Sequence, residues 1–153
     1  MDLILWRHAE AQEPEEGMSD LERALTRRGQ QQASRMAAWL DRQLPEGTRI
    51  LASPAVRTVQ TARALQRKFR PRDELLPGAA PEALLRLAGW PDAKGPVLVV
   101  GHQPTLGQTI AQLLGMNDPE CAVKKGAVWW LRSRERGGAA QTVVVTVQTA
   151  ELL

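Results

Sequence analysis

The sequence predicts an α/β fold: a three-layer α/β/α sandwich with a mostly parallel central sheet and an antiparallel C-terminal edge. Short apolar runs, typical of strands buried on both faces, alternate with segments of helical periodicity. The last part of the chain instead holds two strand-like segments separated by a glycine pair, which is typical of a hairpin. Because 153 residues suffice for one core, we expect residues 1–153 to form a single domain.

The first predicted strand, residues 3–6, ends directly before Arg7 and His8. Ligands of open α/β sheets bind beyond the carboxyl ends of the strands, so both side chains lie where a site is expected. The next segment, residues 11–20, is acidic and contains a proline and a glycine. We expect it to be an exposed loop that rims any site beside His8.

A helix is predicted over residues 27–44. Thr26 is a suitable N-cap, and the apolar side chains that follow recur at helical spacing until Pro45 ends the helix. A second short strand is predicted over residues 49–52. The order strand, helix, strand is the unit from which parallel sheets are built.

The segment after the second strand looks like a helix start, because Ser53 is a good N-cap and Pro54 suits the first helical position. Arg57 would then lie in the first turn, beside free backbone N–H groups and the positive end of the helix dipole. A cation is unfavourable there unless it helps to bind an anion. The segment therefore predicts an anion-binding arginine.

The remaining predicted elements continue the alternation. They are a weak strand over 74–76, a short helix over 81–87 closed by Gly89, a buried strand over 97–100 that runs into Gly101 and His102, a helix from Pro104 to the C-cap Gly115, and strands over 127–132 and 142–148 joined by the turn 135–138.

Composition narrows the classes of protein and of partner. Cys121 is the only cysteine, which excludes an intrachain disulfide and favours a reducing compartment. The apolar runs are too short for a membrane span and no signal peptide is apparent, so we expect a cytoplasmic protein without a membrane partner. The net charge is +3 and most basic residues are arginine, which suits an anionic substrate or an acidic protein partner. No finger spacing or dense basic run indicates nucleic acid.

The two histidines of the chain each follow a buried strand. Parallel strands would bring His8 and His102 to one edge of the sheet, together with Arg7 and Arg57. A neutral imidazole is a good nucleophile toward phosphorus, and guanidinium groups stabilise the phosphoryl oxygens as charge builds on them. This chemistry requires neither a metal nor a cofactor.

Four motifs in this order resemble the histidine phosphatase superfamily, also called phosphoglycerate-mutase-like. Arg7-His8-Ala9 is similar to its Arg-His-Gly/Ala signature, and Gly101-His102 is similar to its second histidine motif. Leu25-Thr26 with Gly29 and Ala33 resembles its Leu-Thr-x-x-Gly-x-x-Gln-Ala element. Ser53-Pro54 with Arg57, Thr61 and Ala62 resembles Ser-Pro-x-x-Arg-x-x-Gln-Thr-Ala. The short chain is most similar to the SixA type, which removes phosphate from phosphohistidine on proteins.

The resemblance implies that His8 is phosphorylated during turnover and that Arg7, Arg57 and His102 form the phosphate pocket. The backbone N–H of Gln103 and the side chain of Ser53 are expected to contribute to phosphate binding. The implied partner is a phosphorylated signalling protein, such as a histidine phosphotransfer domain.

One departure from the family bears on the substrate. Mutase and phosphomonoesterase members use an acidic residue to protonate the leaving oxygen, and no strong motif supplies one here. Glu82 lies in the corresponding region, although Pro81-Glu82 is also what a helix start looks like. A phosphoramidate nitrogen is protonated more readily than an ester oxygen, so the missing acid favours a phosphohistidine substrate.

Three alternatives remain open from the sequence. The chain could hydrolyse small phosphate monoesters with Glu82 as the acid, or bind phosphoproteins without turning them over. The third alternative is a two-histidine, one-carboxylate iron site, whose residue types and order are matched by His8, Glu10 and His102. That site needs a β scaffold, and the two arginines would repel a divalent cation.

Overall fold

A computed structural model describes residues 1–153. It contains six strands: β1 Asp2–Arg7, β2 Arg49–Ala52, β3 Arg70–Pro71, β4 Val97–Gly101, β5 Val128–Arg136 and β6 Ala139–Gln148. It contains four α-helices: α1 Arg27–Gln43, α2 Val56–Arg63, α3 Pro81–Ala88 and α4 Thr105–Leu114. Short 3-10 helices lie at Asp20–Glu22, Asp73–Leu75 and Ala150–Leu152.

The six strands form one sheet in the order β3-β2-β4-β1-β5-β6. The strands β1 to β4 pair in parallel, whereas β5 and β6 pair antiparallel at one edge. Ile4 and Trp6 of β1 pack with the apolar side chains of α1 and α2, whereas Leu3 and Leu5 pack with those of α3 and α4. Helices therefore cover both faces, and the predicted three-layer sandwich is confirmed.

Several predicted element boundaries are confirmed by local hydrogen bonding. The Thr26 side chain accepts a hydrogen bond from the backbone N–H of Gly29 at 2.9 Å and so caps α1 as expected. Gly89 and Gly115 adopt the left-handed conformation directly after α3 and α4. The predicted C-terminal hairpin is present and turns at Gly137 and Gly138. None of the helices is long and apolar enough to cross a membrane.

One predicted strand and one predicted helix start are wrong. Residues 74–76 do not form a strand: Asp73–Leu75 is a 3-10 helix, and β3 lies a few residues earlier, where Arg70 pairs with Leu51. Ser53 does not cap α2, which begins only at Val56 with Ala55 as its N-cap. The Ser53 hydroxyl instead accepts a hydrogen bond from the Ala55 N–H and contacts His102.

Gly29 permits a close contact between α1 and the segment that follows His8. A Cβ atom at this position would lie 2.0 Å from the backbone oxygen of Glu10. We therefore expect Gly29→Ala to lower the free energy of unfolding by about 3 kcal/mol, although alanine is the better helix former. Urea unfolding measures the change. Gly47→Ala is the matched control, because nothing lies within 4 Å of the added Cβ; equal effects of the two substitutions would contradict the prediction.

Candidate active site

The register of two neighbouring strands brings the histidines together. Arg7 at the end of β1 pairs with Gly101 at the end of β4, so His8 and His102 occupy equivalent positions. The backbone N–H of His8 donates to the Gly101 carbonyl at 3.1 Å. The two buried imidazole rings lie with their centroids 5.4 Å apart. The structure thus brings both histidines to one edge of the sheet, as the sequence predicts.

Ser53 joins this group from the other side of β4. Ala52 of β2 pairs with Val100, and the Ser53 N–H donates to the Val100 carbonyl at 3.1 Å. The fully buried Ser53 hydroxyl lies 2.8 Å from Nε2 of His102. Three adjacent strand ends therefore supply side chains to one cluster.

The two predicted arginines also lie at this cluster. Nη1 of Arg7 donates to the Val123 carbonyl at 2.7 Å. Arg57, in the first turn of α2, is only 3% exposed, and its Nη1 and Nη2 donate to the backbone oxygen and the carboxylate of Asp20 at 2.8 and 3.0 Å. Burial lowers the pKa of each guanidinium, and the charge of Arg57 lowers the pKa of Arg7 further. Because the charge of one guanidinium acts on the other, an anion bound between them would relieve the repulsion.

Unpartnered polar atoms are concentrated in the cluster. Only four buried side-chain nitrogen or oxygen atoms lack a hydrogen-bond partner, and three of them are Nε of Arg7, Nε of Arg57 and Nδ1 of His102. Buried donors without acceptors are costly, and native proteins satisfy nearly all of them. The two guanidinium Nε–H groups are therefore unused donors that suit an acceptor-rich anion such as a phosphoryl group.

Both histidines are neutral at pH 7. Burial lowers the pKa of His8 from 6.5 to about 4, and the positive charges of Arg57 and Arg7 act in the same direction. Burial likewise lowers the pKa of His102 to about 3, again with a contribution from Arg57. Nδ1 of His8 lies 2.8 Å from the Ala9 carbonyl, which can only accept, so the proton is on Nδ1 and the lone pair on Nε2.

These lowered pKa values predict a loss of stability in mild acid. Between pH 7 and pH 5 the unfolded histidines bind protons near pH 6.5, whereas the folded ones stay neutral until about pH 4 and pH 3. Protons therefore favour the unfolded chain, by about 2 kcal/mol for each imidazole at pH 5. Urea unfolding at both pH values measures this loss. Since the chain has two histidines, their NMR signals titrate without overlap from others; titration near pH 6.5 would contradict the prediction.

Asp20 and Arg23 are site residues that the sequence analysis missed. The Asp20 carboxylate accepts hydrogen bonds from Arg57 and, at 3.0 Å, from Nε of Arg23, so it bridges the two guanidiniums. The charge of Arg23 contributes to the lowered pKa of His8. Asp20 is the last residue of the acidic loop that we expected to rim the site. That expectation is the only feature of the sequence that indicated a role for Asp20.

Other predicted residues lie outside the cluster or have different contacts. Glu82 is exposed on the first turn of α3 and has no hydrogen bond or ion pair to the site. The Gln103 side chain bonds to the Cys121 carbonyl and the Gly107 N–H, so its backbone N–H is the group that we expect to contact a ligand. The Glu10 carboxylate accepts from the Thr26 hydroxyl at 2.8 Å, and no three His, Cys, Asp or Glu side chains are grouped to hold a metal ion.

Comparison with known proteins identifies the family. Residues 3–78 match the model of the histidine phosphatase superfamily, branch 1. A protein of Picosynechococcus sp. strain PCC 7002 is 32% identical over 143 residues, which cover 87% of this chain and 86% of the relative. SixA from Agrobacterium tumefaciens has 25% identity and a TM-score of 0.81, with 97% of each chain covered.

A second solved structure, the protein histidine phosphatase SixA in complex with tungstate, has 25% identity and a TM-score of 0.78, with 99% of each chain covered. The family model spans the first histidine and Arg57, and the structural matches extend over nearly the whole chain. This chain belongs to the histidine phosphatase superfamily, with the fold of its SixA type, and is accordingly a phosphatase.

Proposed function

We propose that this chain is a metal-independent phosphohistidine phosphatase that works through a phosphohistidine intermediate on His8. Nε2 of His8 attacks the phosphorus of a phosphorylated histidine on a protein. The bond between phosphorus and the substrate nitrogen breaks, and a bond from phosphorus to Nε2 forms. Water then attacks the phosphorus, the bond between phosphorus and Nε2 breaks, and Nε2 regains its lone pair. Inorganic phosphate leaves with the oxygen of the water, and the proton released passes to phosphate or solvent.

The observation on which this proposal chiefly rests is the set of unpartnered polar atoms, two of them guanidinium donors, around a neutral imidazole. Nε of Arg7 and Nε of Arg57 are buried without acceptors near His8, and Nδ1 of His102 is buried without a hydrogen-bond partner. Guanidinium donors of this kind stabilise the equatorial oxygens of a phosphoryl group in transfer. The comparison structure with tungstate, a tetrahedral oxyanion, supports an anion pocket of this type.

We infer the leaving group from the ionisation state of Asp20, the carboxylate that contacts Arg57. Partial burial alone would raise the pKa of Asp20, but hydrogen bonds from Arg57 and Arg23 lower it below its usual value of 3.8. Asp20 is therefore ionised and a poor proton donor at pH 7, and Glu82 has no contact with the site. An ester oxygen needs a proton to leave, whereas a phosphoramidate nitrogen needs less assistance.

The test is hydrolysis of a phosphorylated histidine phosphotransfer domain, measured beside a panel of small phosphate monoesters. We expect kcat/KM for the phosphohistidine protein to exceed that for every ester by at least about 100-fold, the effect of one general acid. The reverse order would contradict the proposal. Binding of the phosphoprotein without turnover would favour the alternative of a non-catalytic domain.

The substitution Glu82→Gln distinguishes the proposed function from the alternative of a monoesterase that uses Glu82 as its acid. If the chain acts on phosphohistidine as proposed, this substitution at an exposed position leaves kcat/KM unchanged within about twofold. If Glu82 is instead the acid of a monoesterase, the rate for esters falls by about 100-fold or more.

A further inference from the structure

A cavity of about 390 Å³ lies between the start of α1 and the C-terminal 3-10 helix. We call it the basic groove. The lining residues that matter here are Arg28, Arg35, Lys124, Lys125, Thr149 and Glu151. Four of these six side chains are cations and one is a carboxylate, so the groove is strongly positive.

Most of this charge is uncompensated within the protein. Lys124 is paired with Glu151, but Arg35 and Lys125 are exposed and form no ion pair. Arg28 is 76% exposed in its side chain and lies 3.7 Å from Glu10, at the limit of an ion pair. The hydrogen bond and charge of Lys124 lower the pKa of Glu151, and the charge of Arg28 adds to this effect.

The basic groove and the phosphate pocket share a wall, which is the turn 123–126. The Val123 carbonyl of this turn accepts from Arg7, and the Gly126 N–H donates to the carbonyls of Arg7 and His8 at 3.2 and 3.0 Å. Lys124 and Lys125 of the same turn line the groove. A segment of the substrate bound in the groove would therefore lie close to the phosphorylated residue that reaches His8.

The groove also contains a polar atom without a partner. The Thr149 hydroxyl oxygen is buried and makes no hydrogen bond, and it is the single unpartnered buried atom outside the phosphate pocket. Buried hydroxyls normally find a partner in the protein, in water or in a ligand. This oxygen is not exposed to solvent, so a ligand in the groove would reach it only after a local shift of the groove wall.

We propose that the basic groove docks an acidic segment of the phosphoprotein substrate, which lies close to the phosphorylated histidine. This inference rests on the proposed function and adds a rule of substrate selection to it. Complementary charge would raise the rate of encounter and reject basic partners. No aromatic side chain lines the groove, which disfavours single-stranded nucleic acid because stacking on such side chains supplies much of its affinity.

The test uses two synthetic phosphohistidine peptides, one with four flanking Asp or Glu residues and one with Ser and Gln instead. For the unaltered protein at low salt, we expect kcat/KM to be about tenfold higher for the acidic peptide, with the difference lost at about 0.5 M salt. The double variant Arg35→Glu, Lys125→Glu should abolish the preference without changing kcat/KM for the neutral peptide.

The matched control is the double variant Arg42→Glu, Arg136→Glu, which changes the net charge equally at exposed positions without ion pairs. It should keep the preference for the acidic peptide. Equal loss in both double variants, or no preference in the unaltered protein, would overturn the proposal.

Binding of the unphosphorylated acidic peptide, measured by fluorescence anisotropy, tests docking apart from turnover. We expect the groove variant to weaken it by about tenfold and the control variant to leave it unchanged. The docking proposal would be overturned if a single-stranded oligonucleotide bound more tightly than the acidic peptide and displaced it. Docking without hydrolysis of either phosphopeptide would instead contradict the proposed function alone.

Discussion

His8→Asn is expected to reduce the turnover of a phosphohistidine protein by at least about 10⁴-fold, the scale of losing a nucleophile. The reason is specific to one atom. Nδ1 of His8 is committed to the Ala9 carbonyl, so Nε2 has the only lone pair of this ring and is the nucleophile that we propose. An asparagine amide can still donate to that carbonyl, but it has no nucleophilic nitrogen.

Two measurements check this prediction. Steady-state hydrolysis gives the loss of turnover, and rapid acid-free quenching gives the phosphoenzyme, which should be an acid-labile label present in the unaltered protein and absent in His8→Asn. Circular dichroism and the urea midpoint at pH 7 control for folding. Turnover within tenfold of the unaltered protein, or a persisting label, would mean that another residue is the nucleophile.

Arg57→Lys is expected to lower kcat/KM by about 10² to 10³-fold, the range for removing an aligned donor from a transition state. Arg57 is 3% exposed and uses two nitrogens on Asp20, while its Nε has no partner. A lysine retains the charge, but its single ammonium cannot bind Asp20 twice and also donate to a phosphoryl oxygen. The effect should therefore arise from geometry rather than from net charge.

The matched control is Arg63→Lys on the same helix, at an exposed position without an ion pair. It should leave kcat/KM unchanged within about twofold. Inhibition by tungstate reports directly on the oxyanion pocket, and it should weaken in Arg57→Lys only. If activity falls while tungstate inhibition is unchanged, Arg57 holds the Asp20 loop and does not bind phosphate.

The Asp20 contact also affects how substrate enters. A carboxylate and a phosphoryl group are competing acceptors for the Arg57 guanidinium. The Asp20 side chain is 53% exposed, whereas that of Arg57 is 4% exposed. A bound phosphoryl group could accept a hydrogen bond from Nε of Arg57, which has no partner. It would not have to displace Asp20 from Nη1 or Nη2. The arrangement allows Asp20 to keep Arg57 oriented while the phosphoryl group binds.

Most of the sandwich and the convergence of the site could be predicted from the sequence, because they depend on local signals. Apolar runs define β1 and β4, Thr26 caps α1, and Gly89 and Gly115 end their helices. The convergence of His8 and His102 follows from a general rule, since parallel strands end at one edge of a sheet.

What the sequence could not predict depends on residues distant in the chain. Asp20 and Arg57 are 37 positions apart, and no local pattern indicates that one binds the other. The β3 strand forms at Arg70 rather than at residues 74–76, because strand pairing with Leu51 outweighs the weak local preference. Ser53 resembles a helix cap, yet its hydroxyl lies against His102, which only the neighbouring strand supplies.

The sequence by itself therefore determined the α/β layers and the two histidines and two arginines of the site, because periodicity and strand polarity are properties of short segments. Only the tertiary structure decided the protonation state of the histidines, the contact of Asp20 with Arg57, and the basic groove beside the phosphate pocket. Each of these depends on burial or on the spacing of charges from separate elements, which exist only once the chain has folded.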